Sequence, residues 1–235
     1  DSCHVIFGLS FCDQVAYSVP SNRNKFPDKA SLAAFYDNST KSIYANFEKV
    51  LAQIPCEINP ASQYSLVRTC KDCAQAYKSW LCAVNIPRCT DVNSRLPWLH
   101  PRAIEQKFLN GTSLDSASIP NEYRKSAFQS SRNVNIDELV SPGPYKEVLP
   151  CQELCHNLVQ SCPAKMGFGC PEPGQIGFNA SYGEMPNGFA DAHGRNTNIT
   201  CNYPGTIYFS SASHCMPHML VALTVGALSS IAMLL

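Results

Sequence analysis

From Lys29 to Ile54 the apolar positions fall on one stripe. Ile43, Phe47, Val50, Leu51 and Ile54 recur three and four residues apart, the spacing that lines one face of an α-helix. The pattern predicts a helix over 29–54, stopped by Pro55. Residues 72–82 predict a second, shorter helix with Asp72 as its N-cap. A third is predicted within LPCQELCHNLVQSC, Leu149 to Cys162. Pro150 suits its first turn and Glu153 the positive end of its dipole. At about 100° per residue, Cys155 lies roughly 40° round from Cys151, and Cys162 roughly 20°. The three sulfurs therefore share one stripe, with Leu158 between them. Bridging needs Cβ atoms about 4 Å apart and pointing together. The three stacked thiols are thus expected to reach outward to different partners, making this helix a spine from which three bridges radiate.

The remaining stretches lack periodicity. Residues 13–27 read as irregular, with turns at Pro20-Ser21-Asn22. Residues 91–141 read as a long Pro-punctuated insertion, helical around 101–109 and 121–128. Residues 171–200, rich in Gly, Asn and Pro, read as an extended loop. Phe35, Tyr36, Tyr44 and Phe47 are expected to fill the core or cover bridges. Met219 to Leu235 is almost wholly apolar. It is shorter than the roughly 20 residues of a membrane helix and carries no basic flank. Small residues and a short spacer precede it, the arrangement of a glycosylphosphatidylinositol signal. Attachment is expected at Ser211, with Ser210 and Ser213 as neighbouring choices; a membrane tail is the alternative. The chain starts at Asp1 rather than Met, so an upstream segment is expected to have been removed, at the place where a signal peptide would sit.

Composition narrows the setting. There are 13 cysteines, a number that an oxidising lumen pairs and a reducing cytosol does not. Asn38, Asn110, Asn179 and Asn198 each head an Asn-x-Ser/Thr sequon, which points the same way. Cys215 beside the apolar tail accounts for the odd count, leaving six bridges for the rest. Net charge is zero, with 18 basic and 18 acidic residues, which gives no footprint for nucleic acid. Cys70-Lys71-Asp72-Cys73 lacks the setting of a redox dithiol, and a zinc site would need reduced thiolates. Hydrolase, P-loop and EF-hand strings do not occur, and Asp137-Glu138 alone is poor ground for an anchored cell-wall enzyme. The reading is non-catalytic, with no cofactor and no metal. Trp98, within the Pro-stiffened Leu96–Pro101, and Tyr145, Lys146 and Glu147 are the expected partner surface, the alternative for the Trp98 segment being that it seals the edge of the core.

The ordered cysteines then match a pattern. Cys3-x8-Cys12 is followed by Val15-Ala16-Tyr17; Cys73-x8-Cys82-x6-Cys89 carries Trp80-Leu81 and Pro87; Cys151-x3-Cys155-x6-Cys162 closes the series. This resembles the Frizzled-type cysteine-rich domain. Within it, PGPYKEVLPCQELCHNLVQSCPAKMGFGCP resembles the fungal stretch-activated calcium-channel subunit family. The resemblance implies the bridges Cys3–Cys89, Cys12–Cys82, Cys73–Cys162, Cys151–Cys201 and Cys155–Cys170, leaving Cys56 to Cys70. If Cys70 instead fills the family's third position, Cys56 pairs with Cys73. The expected architecture is mainly α and disulfide-rich, a Frizzled-like domain over 1–209 with short strands and the 91–141 insertion, then an anchor signal over 210–235. The implied role is a regulatory subunit of a plasma-membrane calcium-influx channel, on the extracellular face, docked on the pore-forming subunit. A Frizzled-like module for a lipid or lipidated factor is the alternative.

Overall fold

The computed structural model describes residues 2–54, 68–115, 117, 119–185 and 200–205. It is a disulfide-rich, mainly helical assembly with short strands. Strands β1 (Cys3–Ile6) and β2 (Tyr17–Pro20) form an antiparallel hairpin. Helices α1 (Lys29–Leu51) and α2 (Cys70–Asn85) follow, then β3 (Arg88–Thr90) and β4 (Leu99–Arg102). After α3 (Ser126–Gln129) come β5 (Tyr145–Val148), α4 (Gln152–Ser161) and the one-turn α5 (Phe178–Ser181).

α1 starts where Asp28 accepts the Ser31 N–H, satisfying one of the donors a helix start leaves open. Asp37 works sideways. Its carboxylate accepts the backbone N–H groups of Ser10, Phe11 and Cys12 and the Ser10 hydroxyl, at 2.8–3.0 Å. The loop into Cys12 is thereby clamped to α1, which carries no cysteine of its own. α2 is longer than the apolar spacing implies. Its N-cap is Thr69, and Asp72 sits three residues in: the Thr69 hydroxyl accepts the Asp72 N–H, and the Asp72 carboxylate takes the Thr69 N–H. That reciprocal capping box displaces Asp72 from the N-cap. Between α1 and α2, Phe47 stacks on Tyr77 with centroids 3.7 Å apart.

The stretch expected to be an insertion is woven into the fold. β4 lies within it and pairs with β5, giving the sheet order β3-β5-β4. Residues 99–102 are therefore strand, where a helix was expected from 101 onward. Ile136 and Val140, on a single π-turn, join the core with Leu32, Tyr36 and Val19. Asn133 donates to Asn85, which donates to Thr40, both at 2.7 Å. Residues 13–27 are likewise less irregular than expected, since they contain β2. Gly143, at φ 78°, brings the chain past Lys107, where an added Cβ would lie 2.8 Å from the Lys107 carbonyl oxygen. Only glycine fits that approach.

Candidate partner-facing groove

Strand alternation sorts the sheet into two faces. Cys89, Glu147 and His100 stand in one row, Arg88, Val148 and Leu99 in the next, and Thr90, Lys146 and Pro101 in the third. The first row and Tyr145 point inward. The second and third share the outer face.

The inner face holds an ion-pair triad. Glu147 is fully buried, and each of its oxygens accepts an arginine Nε–H at 2.7 Å, one from Arg102 and one from Arg132. The same guanidiniums donate to the carbonyls of Ala127, Ala180 and Ser181. Burial alone would raise the Glu147 carboxyl, but the charges of Arg132 and Arg102 outweigh it and hold the group below its ordinary value. Tyr145 beside it is fully buried, and burial pushes its phenol up. These two residues, expected on a partner surface, are interior. They alternate with Lys146, so only Lys146 of the three reaches the outer face. His100, also inward, stacks on Phe128 with centroids 4.4 Å apart and lies 3.1 Å by Nε2 from the Ala127 carbonyl.

On the outer side lies a groove of about 440 Å³. Its floor is the row Arg88, Val148 and Leu99, and the hairpin supplies Val5, Tyr17 and Ser18 along one flank. The segment 91–98, held down by the Lys146 ammonium on the Ser94 carbonyl, supplies Leu96 and Trp98 along another. The Arg88 guanidinium sits 5.8 Å from the centroid of Tyr17, whose hydroxyl donates to the Ile86 carbonyl. Val5 and Leu96 are each about half exposed, 46% and 49%, so the groove is open along its rim. Trp98 is among the residues that line it. Val5, Tyr17 and Arg88 carry no sequence signal for this site, because residues so far apart along the chain are gathered only by the Cys3–Cys89 bridge and the packing of β2 beside β3.

Around α4 the bridges radiate. Cys151 caps the helix at its start and joins Cys201; Cys155 joins Cys170; Cys162, just past the end, joins Cys73. Cys3 joins Cys89 and Cys12 joins Cys82. Cys70 is disulfide-bonded, to a partner outside the described residues, where Cys56 lies. Pro150 is not in the first turn. It precedes the helix as a bridge residue opposite Asn202. Cys151, Glu153 and Cys201 crowd within 4.8 Å, but the two sulfurs are bonded to each other and offer no thiolate. Asn38, Asn110 and Asn179 are exposed. Asn198, Cys215, Ser210, Ser211, Ser213 and the apolar tail lie outside the described residues. Among the described residues no helix is long and apolar enough to cross a membrane.

Comparison with known proteins places this geometry. The profile of a family described as a stretch-activated Ca2+-permeable channel component matches residues 1–207. The stretch-activated cation channel yam8 of Schizosaccharomyces pombe is 41% identical over 212 residues, 90% of this chain and 37% of that protein. The stretch-activated cation channel MID1 of Saccharomyces cerevisiae is 37% identical, over 73% of this chain and 27% of that protein. The protein of the same description in Cryptococcus neoformans is 26% identical over 180 residues. The chain thus spans about a third or less of the length of these relatives, from 27% to 37%. No solved structure matches.

Proposed function

We propose, because the chain belongs to the family of stretch-activated Ca2+-permeable channel components, that it is the extracellular, non-catalytic part of a regulatory subunit docked on the outer side of a calcium channel's pore-forming subunit. The observation that carries the reading is the family match over residues 1–207. The bridges support the extracellular placement, since such cross-links persist in oxidising compartments. They also favour a docking role, because a covalently braced body presents a surface with little ordering cost on association. The bridge pattern is read as Frizzled-type. Asn38, Asn110, Asn179 and Asn198 are read as glycan sites, and 210–235 as the anchor signal of a plasma-membrane protein delivered through the secretory pathway.

Purification of the full-length protein from native membranes, with identification of co-purifying chains, tests the reading. A pore-forming calcium-channel subunit is expected in fixed ratio. Intact, fully bridged protein that brings down no such subunit would sink it.

A further inference from the structure

We infer that the fold sets when each sequon can be modified: Asn38 and Asn179 take a glycan only before their segments fold, while Asn110 takes one on the folded chain as well. This deepens the reading of these residues as glycan sites and rests on it.

The transfer dictates the geometry. A lumenal transferase joins the asparagine Nδ2 to the anomeric carbon of a glycan carried on a lipid diphosphate. The bond from that carbon to the diphosphate oxygen breaks, the lipid diphosphate leaves with the electron pair, and one amide proton passes to a base of the transferase. A sequon is an asparagine with a hydroxyl two residues on, so both groups must be presented to the enzyme together. In an extended chain positions i and i+2 share a face. In an α-helix they lie about 200° apart.

The first sequon lies inside α1, and its two groups part accordingly. Asn38 is exposed. Thr40 is fully buried, its hydroxyl donating to the Tyr36 carbonyl at 2.8 Å and accepting from the Asn85 amide at 2.7 Å. The third sequon, Asn179 to Ser181, makes up most of α5. Its backbone is pinned to the buried triad, since Arg102 donates to the Ala180 carbonyl and Arg132 to the Ser181 carbonyl. Phe178 beside it is buried against Cys155. The second sequon differs. Asn110, Gly111 and Thr112 form an exposed turn in which Asn110 Oδ1 accepts the Thr112 N–H at 3.0 Å and the Thr112 hydroxyl at 2.7 Å. Carboxamide and hydroxyl therefore stand side by side in solvent. Three asparagines alike in exposure are thus unlike as acceptors.

The test translates the full-length protein into microsomes while an excess acceptor tripeptide occupies the transferase. After chain release a non-reducing peptide map confirms the bridges, and the tripeptide is washed out with or without a reductant. Mass spectrometry then follows occupancy at each site. In the oxidised chain Asn38 and Asn179 should fill about tenfold or more slower than Asn110, because they wait on local opening. Reductant should bring the three to similar rates. Should the blocked chain fail to form its bridges, the lipid-linked donor is partly depleted in cells instead. Occupancy should then fall further at Asn38 and Asn179 than at Asn110, and a brief pulse of reductant should restore it. Equal rates in the oxidised chain, or an equal fall on depletion, would overturn the ordering while the glycan reading stands. So would an Asn110 that fills only under reductant, or reductant that leaves Asn38 and Asn179 lagging. If Asn38 and Asn179 are empty in protein made without any block, the glycan reading fails at those positions, and the inference with it.

Discussion

At Glu147 a charge is kept in the interior by two partners. A buried charge stripped of its partners costs about 3–5 kcal/mol, because it is left uncompensated. Replacing Arg102 and Arg132 together by Ala is expected to cost at least about that at neutral pH, read from the denaturant midpoint of the oxidised chain. Acidification protonates the carboxyl and removes the uncompensated charge, so the penalty should shrink as pH falls through the carboxylate range. A penalty unchanged by acid would show that lost packing, not charge, sets it. His100 adds a second pH dependence of definite sign. Burial, with the Arg102 charge beside it, pushes its imidazole from 6.5 to about 4. Between those values the unfolded chain binds a proton that the folded chain refuses. Stability is therefore full above 6.5 and falls as pH drops toward 4, by up to about 3 kcal/mol. His100→Gln keeps a donor near the Ala127 carbonyl but does not titrate. Its unfolding free energy should lose that slope, and parallel curves for the two proteins across the window would rule His100 out as the titrating group.

Elements divide by whether local pattern or distant pairing makes them. α1, α2 and α4 are legible, because apolar spacing and caps sit within the segment itself. β2 and β4 are not. YSVP and LHPR each contain a proline and are too short to show alternation, and their partners lie elsewhere in the chain. The same lack of local signal placed Tyr145 and Glu147 on the surface, where one more step of strand register puts them inside. The triad was hidden too, since Arg102, Arg132 and Glu147 share no motif and meet only once β4 pairs with β5. Of the groove, the Pro-stiffened run of Leu96, Trp98 and Leu99 was visible. α4 makes the element-scale prediction. Its bridge to Cys170 closes 15 residues, and its bridge to Cys73 closes 89. Restriction of the unfolded chain grows slowly with loop length, from about 3 kcal/mol at 15 residues toward about 4.7 at 100. Cys73→Ser with Cys162→Ser should therefore lower the melting temperature more than Cys155→Ser with Cys170→Ser. The reverse order in paired melts would show that packing around Phe178 and Tyr182, not loop closure, dominates the smaller bridge.

For the whole molecule the cross-links form a connected frame. Cys3–Cys89 and Cys12–Cys82 tie the hairpin and the loop between its strands to β3 and α2; Cys73–Cys162 ties α2 to α4; Cys155–Cys170 and Cys151–Cys201 tie α4 to the later segments. The groove sits at one end of this frame, with Cys89 in its lining and the hairpin flank held against the sheet by the Cys3 bridge. α1, which carries no cysteine, is held by packing, by side-chain hydrogen bonds such as Asn85 to Thr40 and Tyr36 to the Pro20 carbonyl, and by the Asp37 clamp. Its carboxyl sits below the ordinary value, the donors from Cys12, Phe11 and Ser10 outweighing the effect of burial. Stability from that clamp is present above the ordinary carboxylate range and lost as pH falls through the lowered value. Reduction should therefore act on shape and association together. Titrating the full-length complex with a phosphine reductant at neutral pH should release the pore-forming subunit in step with loss of the near-ultraviolet signal of the packed aromatics around Phe47 and Tyr77. Release well before that loss would point to the Cys3–Cys89 bridge beside the groove, whose opening frees the hairpin flank while Cys73–Cys162 still joins α2 to α4. A complex that outlasts complete reduction and loss of the aromatic signal would mean that association needs no folded surface on this chain.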